Sequence, residues 1–175
     1  RQPLEAGEVV LARAHGHRRY PARFTLIAAM NPCPCGYSGD ESGRCHCSPE
    51  QIFRYRARIS GPLLDRMDIH IEVPPVEFRK LRARRNGSGS AEVRQLVQQA
   101  RQIQARRFGN PFMTNATMGH KQVEAFCGLD ESAEMMLRQA MAEFALSARA
   151  HDKICKVART IADLEGTGAI QPEHI

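Results

Sequence analysis

Cys33-Pro34-Cys35 and Cys45-His46-Cys47 place two Cys-x-Cys pairs on either side of a loop containing Gly36, Gly39, Asp40 and Gly43. Four thiolates drawn together by such a loop meet the ligand count of a closed tetrahedral zinc site. The spacing is tighter than the roughly two to four residues usual between paired ligands, and His46 can stand in for one cysteine. Free thiols or a redox-labile pair are the competing readings. Zinc is preferred because so polar a loop has little else to order it. A second cluster is basic: Arg13, Arg18 and Arg19 flank His15-Gly16-His17. Cations presented together can neutralise a phosphate backbone by counterion release, although an ordinary solvated hairpin carries such charges too. The third signal is Arg149, in the first turn of a helix expected to start after Ser147. A cation there opposes the helix dipole, which suggests an anion such as a nucleotide phosphate nearby. A solvent-exposed Arg would pay only about a few tenths of a kcal/mol at that place, so this alternative stays open.

The elements that must position these residues can be read from pattern and punctuation. Residues 8–11 and 12–20 predict a β-hairpin with its tip near Gly16. The apolar run at residues 24–30 stops at Asn31-Pro32 and predicts a buried strand; residues 68–73 alternate apolar and polar and predict a half-buried one. Two strands joined by a long helical crossover suggest part of a parallel α/β sheet, with Asn31 at a strand's carboxyl end, where such sheets place chemistry. Ser48-Pro49-Glu50-Gln51 has Ser at the N-cap, Pro at N1 and Gln at N3, so a helix should run to about Ile59 and break at Ser60-Gly61-Pro62. A short turn from Pro62 then carries Leu63 and Leu64 inward, Asp65 and Arg66 outward.

Beyond Pro74-Pro75 comes the basic run Arg79-Lys80-Leu81-Arg82-Ala83-Arg84-Arg85, read as solvated rather than as a DNA clamp, and then Asn86-Gly87-Ser88-Gly89-Ser90. The expected division is an α/β part over residues 1–80, a linker over 81–90 and an all-α part over 91–175. In the all-α part Val93, Leu96, Val97, Ala100 and Ile103 mark the inner face of a first helix stopped by Gly109-Asn110-Pro111. A short helix follows at residues 121–126. Asp130 caps a third, with Leu137, Ala140, Met141 and Phe144 inward; Ser147 caps a fourth, with Ala150, Ile154, Val157, Ile161 and Leu164 inward. Residues 171–175 look like a helix cut short. Cys127 and Cys155 read as packing residues.

With 175 residues, 42% of them hydrophobic, the chain can form one domain or two small ones. The formal net charge of +6 favours an anionic partner such as nucleic acid or nucleotide, or else a solvated basic surface. No apolar run approaches the ~20 residues of a membrane span, and no signal peptide is visible. Six cysteines at these spacings suit a reducing, cytoplasmic setting better than a secreted disulfide scaffold.

Residues 28–37, Ala-Ala-Met-Asn-Pro-Cys-Pro-Cys-Gly-Tyr, and residues 55–68, Tyr-Arg-Ala-Arg-Ile-Ser-Gly-Pro-Leu-Leu-Asp-Arg-Met-Asp, resemble the magnesium-chelatase-like AAA+ ATPases. Within that group they resemble the ComM and YifB family, and the similarity runs along the whole chain. The resemblance implies the C-terminal part of an AAA+ P-loop NTPase sheet domain followed by a helical lid. It implies that Asn31 is the polar sensor 1 residue, whose amide can donate and accept and so orient the water attacking a γ-phosphate. An Asn opening a turn before Pro32 is the plainer alternative. Leu63-Leu64-Asp65-Arg66 matches the arginine-finger segment, in which Arg66 reaches a neighbouring subunit's nucleotide; a surface Arg paired to Asp65 or Asp68 is the competing reading. Leu146-Ser147-Ala148-Arg149-Ala150 matches sensor 2. The basic hairpin would project towards the pore of a ring, so that Arg13, Arg18 and Arg19 meet DNA.

ATP with Mg2+ is the implied cofactor, with zinc possible at the cysteine loop, and a hexamer of identical subunits the implied assembly. The chain departs from the family in lacking the Gly-x-x-x-x-Gly-Lys-Ser/Thr phosphate loop and a strand ending in paired acids. It also starts at Arg1. The expectation is therefore a C-terminal fragment, inactive alone, of a DNA-directed ATP-driven motor of the kind that promotes branch migration in recombination. The alternative is the ATPase of a metal chelatase or of a MoxR-like protein-remodelling complex. A plain nucleic-acid-binding zinc module is a third class, disfavoured by the sensor and finger motifs.

Overall fold

The computed structural model describes residues 2–13, 16–40, 43–74, 76 and 87–175. Two compact units are formed, Arg1–Leu81 and Arg82–Ile175. The basic run at residues 79–85 and most of the expected linker at 81–90 lie outside the described residues.

The first unit opens with a short helix, α1 (Gln2–Ala6), and Gly7 at a φ of +63° turns the chain into the hairpin. Strands β1 (Glu8–Arg13) and β2 (Gly16–Pro21) pair antiparallel, with Val10 opposite Arg19, Leu11 opposite Arg18 and Arg13 opposite Gly16. Helix α2 (Pro49–Arg56) starts at Ser48, whose Oγ accepts from the Gln51 amide while the Ser48 amide donates to Gln51 Oε1. Thus the predicted capping box forms, although the helix ends three residues short of Ile59. Helix α3 (Gly61–Leu64) follows.

Among the described residues the expected parallel sheet does not form. Residues 24–30 take no regular secondary structure, and Ile27 is 90% exposed; residues 69–74 are likewise irregular, with Ile71 and Val73 exposed. A strand is held by the ladder its neighbours offer, and none of the described residues supplies one beside either run. What remains of the expected fold class is its coarse order, strands with helices followed by helices alone. Cys33 is the one fully buried residue described in this unit, so there is almost no apolar core to organise it.

The second unit has such a core. Helix α4 (Ser90–Phe108) ends where Gly109 adopts the left-handed conformation at φ +60°, as its Gly-Asn-Pro stop predicts. After a 3₁₀ turn at Asn115–Thr117 come α5 (His120–Phe126), α6 (Glu131–Glu143) capped by Asp130, and α7 (Ala148–Glu165) capped by Ser147. The expected helix at residues 171–175 is a 3₁₀ turn, Pro172–His174. Met118, Val123, Cys127, Leu137, Cys155, Ala158 and Ile170 form the core, and Phe108 meets Phe126 edge to face at 5.5 Å. Both cysteines pack as expected.

The inner faces need correction at three places. Val93, Leu96 and Val97 are exposed, and burial on α4 begins only at Ala100. Phe144 is 67% exposed because α6 turns Ala133 and Leu137 inward and ends at Glu143. On α7 the buried stripe is Cys155, Ala158, Arg159, Ala162 and Asp163, which leaves Leu164 outside. Two charged residues therefore occupy the heart of a helix face that an apolar count would assign to its neighbours. Among the described residues no helix is long and apolar enough to cross a membrane.

Candidate functional site

The cysteine loop is a chain of tight turns. The Gly36 amide donates to the Cys33 carbonyl, Asp40 to Tyr37 and Gly43 to Asp40, while Gly36, Gly39 and Gly43 sit at φ of +85°, +85° and +65°. Positive φ at those corners is open to glycine at no steric cost. Arg44 closes the loop by pairing with Asp40 at 2.6 Å and lying 4.5 Å from the centre of the Tyr37 ring. Cys47 runs straight into the Ser48 cap, and Arg56 Nε reaches back 3.2 Å to the Pro32 carbonyl, tying α2 to the first Cys-x-Cys pair.

All four cysteine sulfurs lie within 4.8 Å of one another. Cys33 is 3.3 Å from Cys35 and 3.8 Å from Cys45, and Cys35 is 3.6 Å from Cys45. Sulfurs bound at about 2.3 Å around a tetrahedral zinc sit ~3.8 Å apart, close to these separations. The group can hold a metal ion. His46 is exposed and outside the cluster, so four sulfurs and no imidazole make the set.

The sulfurs do not share one acidity. Backbone N–H groups at Tyr37 and His46 and the Cys33 thiol hold Cys35 down at about 6. Burial and Cys35 push Cys33 up, but the Ser38 and Tyr37 amides and the Cys45 thiol outweigh them, and it too lies below its usual value. Cys47 accepts from the Cys35 backbone, yet burial and the neighbouring sulfurs carry it up to about 11. Cys45, similarly helped by the Cys47 backbone, is raised for the same reasons. Negative charge on two sulfurs opposes ionisation of the others, a conflict that a divalent cation would remove.

Asn31 is exposed immediately before this loop, and its amide lies beside Gly36, 3.8 Å from where a Cβ would stand. Arg66, in the turn after α3, is half-buried rather than outward: its Nη1 donates to the Pro62 carbonyl of that helix. Leu64 is exposed while Leu63 is half-buried. Arg13, Arg18 and Arg19 are all exposed. Successive strand residues face opposite sides, so Arg18 and Arg19 serve different faces of the hairpin, and Arg19 lies 3.6 Å from Glu8.

In the second unit Arg149 occupies the second position of α7, where the Ser147 Oγ accepts from the Ala150 amide. It lines an open cleft of about 550 Å³ together with His120, Met141, Ala148, His151 and Asp152. Asp152 takes hydrogen bonds from His120 Nδ1 at 3.0 Å and His151 Nδ1 at 3.1 Å. Partial burial would raise its pKa, but these bonds and the imidazole charges hold it below the usual value. Sequence reasoning missed this cluster, because His120 and Asp152 are 32 residues apart and nothing local links them.

Residues 1–81 match the family model described as Magnesium chelatase, subunit ChlI, and residues 87–175 that described as Magnesium chelatase, subunit ChlI C-terminal. The chain is 44% identical over 177 aligned residues to the Competence protein ComM of Haemophilus influenzae, covering all of this chain and 34% of that protein. It is 39% identical over 177 residues to the protein YifB of Escherichia coli, again over all of this chain and 34% of the relative. The chain thus spans about a third of the length of these curated relatives. Matched by the two family models in succession and alike along its length to ComM and YifB, the chain belongs to the magnesium chelatase ChlI family.

Proposed function

We propose that this chain supplies the sensor, finger and lid elements of an ATP-driven AAA+ motor that acts on DNA in the cytoplasm. Identity of 44% to a competence protein, over every residue of the chain, carries this reading. The exposed, arginine-bearing hairpin supports it chemically, because phosphate contacts need cations in solvent rather than in a core. In the full-length protein ATP and Mg2+ would be bound by segments carrying a phosphate loop. Asn31 would orient the attacking water, Arg149 would hold phosphate from the lid of the same subunit, and Arg66 would reach in from the adjacent subunit of a hexameric ring. Arg66 would have to leave its Pro62 contact to do so, a swing that ring assembly would drive. The division into residues 1–80, 81–90 and 91–175 assigns the hairpin, sensor 1 and finger to the core and sensor 2 to the lid.

The cysteine cluster would hold structural zinc, ordering a unit with almost no apolar core. Zinc here would fix the loop between Asn31 and α2 and take no part in hydrolysis.

A fluorescence titration of the full-length protein with branched DNA tests the reading. Saturable binding whose affinity falls with salt is expected. Absence of DNA binding, with intact ATP hydrolysis, would move the assignment to the chelatase-type or protein-remodelling class.

A further inference from the structure

The start of α7 projects beyond the core of its unit. Ala148 and Arg149 are exposed, Ala150 to Ile154 are partly so, and the first buried residue of the helix is Cys155. Packing against Val123 of α5 and Cys127 just after it therefore buries α7 fully only from its third turn onward; Ile154 in the second turn is partly buried against the same core, and the first turn is left to other contacts. One of these crosses to α5: both oxygens of Asp152 lie near His120 Nδ1, at 3.0 and 3.3 Å. His120 is the first residue of α5, and its Nε2 lies 3.5 Å from Glu124 one turn on, which orients the ring from the other side. His151 also donates to Asp152, from within α7. Asp152 follows Arg149 by three residues and so lies on the same face of the helix, and all four side chains border one cleft.

We propose that His120 is a positioning residue for Arg149: by donating to Asp152 it pins the first turns of α7 to the start of α5 and so fixes where the guanidinium meets a nucleotide phosphate. This rests on the reading of Arg149 as a phosphate-holding residue. A misplacement of about 1 Å at such a group can cost ~100-fold. Touching no ligand itself, His120 acts only through the geometry it imposes.

The test uses the full-length protein and ATP, with binding and steady-state hydrolysis measured for wild type, Arg149→Ala, His120→Ala, His120→Asn and the double variant His120→Ala/Arg149→Ala. Arg149→Ala should weaken ATP use clearly, and His120→Ala should reproduce roughly 10-fold of that loss. His120→Asn sets an amide donor near the Nδ1 position and should restore activity to near wild type. His120→Ala should add nothing once Arg149 is gone, because the two act on one contact. A fully active His120→Ala beside a crippled Arg149→Ala overturns the positioning role alone. A fully active Arg149→Ala overturns that role and the reading beneath it together. If His120→Ala multiplies its whole effect onto Arg149→Ala, or His120→Asn restores nothing, the residue acts on the fold and the proposal fails.

Discussion

Arg107 donates through Nη1 to Asp163 Oδ2 at 2.8 Å, joining α4 to α7 across 56 residues of sequence. Asp163 is fully buried and takes further hydrogen bonds from Arg159 Nε at 3.1 Å and from Asn115 Nδ2 at 2.8 Å. Arg159 spends its other nitrogens on the Gly168 and Thr167 carbonyls, and Asn115 Nδ2 also donates to Thr160. A carboxylate with this many donors is satisfied, which is the condition for burying charge at all. The helical unit is thus centred on an ion network as much as on its apolar cluster.

Removing one partner of such a network leaves an uncompensated buried charge, at a cost of about 3–5 kcal/mol. Asp163→Asn should lower the thermal midpoint of the helical unit sharply, as read by circular dichroism. Arg107→Lys should also destabilise, since an ammonium cannot reproduce a guanidinium that donates through Nη1 to Oδ2 and through Nη2 to Oδ1 of Asp163. A melt unchanged by Asp163→Asn would make the network ornamental.

The same group sets an acid limit. Burial alone would raise the Asp163 pKa, but the hydrogen bonds and charges of Arg107, Asn115 and Arg159 hold it below its usual value. A folded-state pKa depressed in this way stabilises the fold above the unfolded value and loses that contribution as pH falls through the folded one. Stability of the helical unit should therefore hold from neutral pH down to the ordinary carboxylate range and decline below it. The decline should be shallower in Asp163→Asn, in which the depressed carboxylate of Asp152 still contributes its own share.

Zinc at the cysteine loop makes a separate claim. Protein purified without chelator should contain about one zinc per chain by elemental analysis, and Cys35→Ser should lose it. Zinc near zero, with four freely titratable thiols in the loop, would sink the assignment.

Arg66→Ala in the full-length protein should abolish hydrolysis while leaving ATP binding nearly intact, because a finger from the adjacent subunit acts on the transition state and is worth ~1000-fold or more. Turnover at the wild-type rate would reduce Arg66 to the surface residue that its Pro62 contact also allows.

Local chemistry was legible in the sequence, and pairing over distance was not. Ser48 with Gln51, Asp130, Ser147 and Gly109 announce helix ends through hydrogen bonds made within a few residues, and each end falls where that chemistry places it. The cysteine cluster was legible for the same reason: turn-forming glycines close a short loop. Residues 24–30 read as a strand by composition, but a strand is completed by its neighbours, which composition does not supply. On α7, Arg159 and Asp163 stand at the i, i+4 spacing of an exposed helix pair, and only the distant Arg107 shows them to be buried. The side-chain clamp of His120 on Asp152 likewise has no trace in either local segment.

DNA as the target is tested most directly by ATP hydrolysis of the full-length protein with and without branched DNA, in wild type and in Arg18→Glu/Arg19→Glu. The account predicts stimulation by DNA in the wild type. In the variant basal hydrolysis should persist, stimulation should vanish, and the slope of log affinity against log salt should become shallower by about 0.9 per lost phosphate contact. Full stimulation and an unchanged salt slope in the variant would contradict the hairpin assignment and make the basic run at residues 79–85 the next candidate. No stimulation in the wild type would contradict DNA as the target.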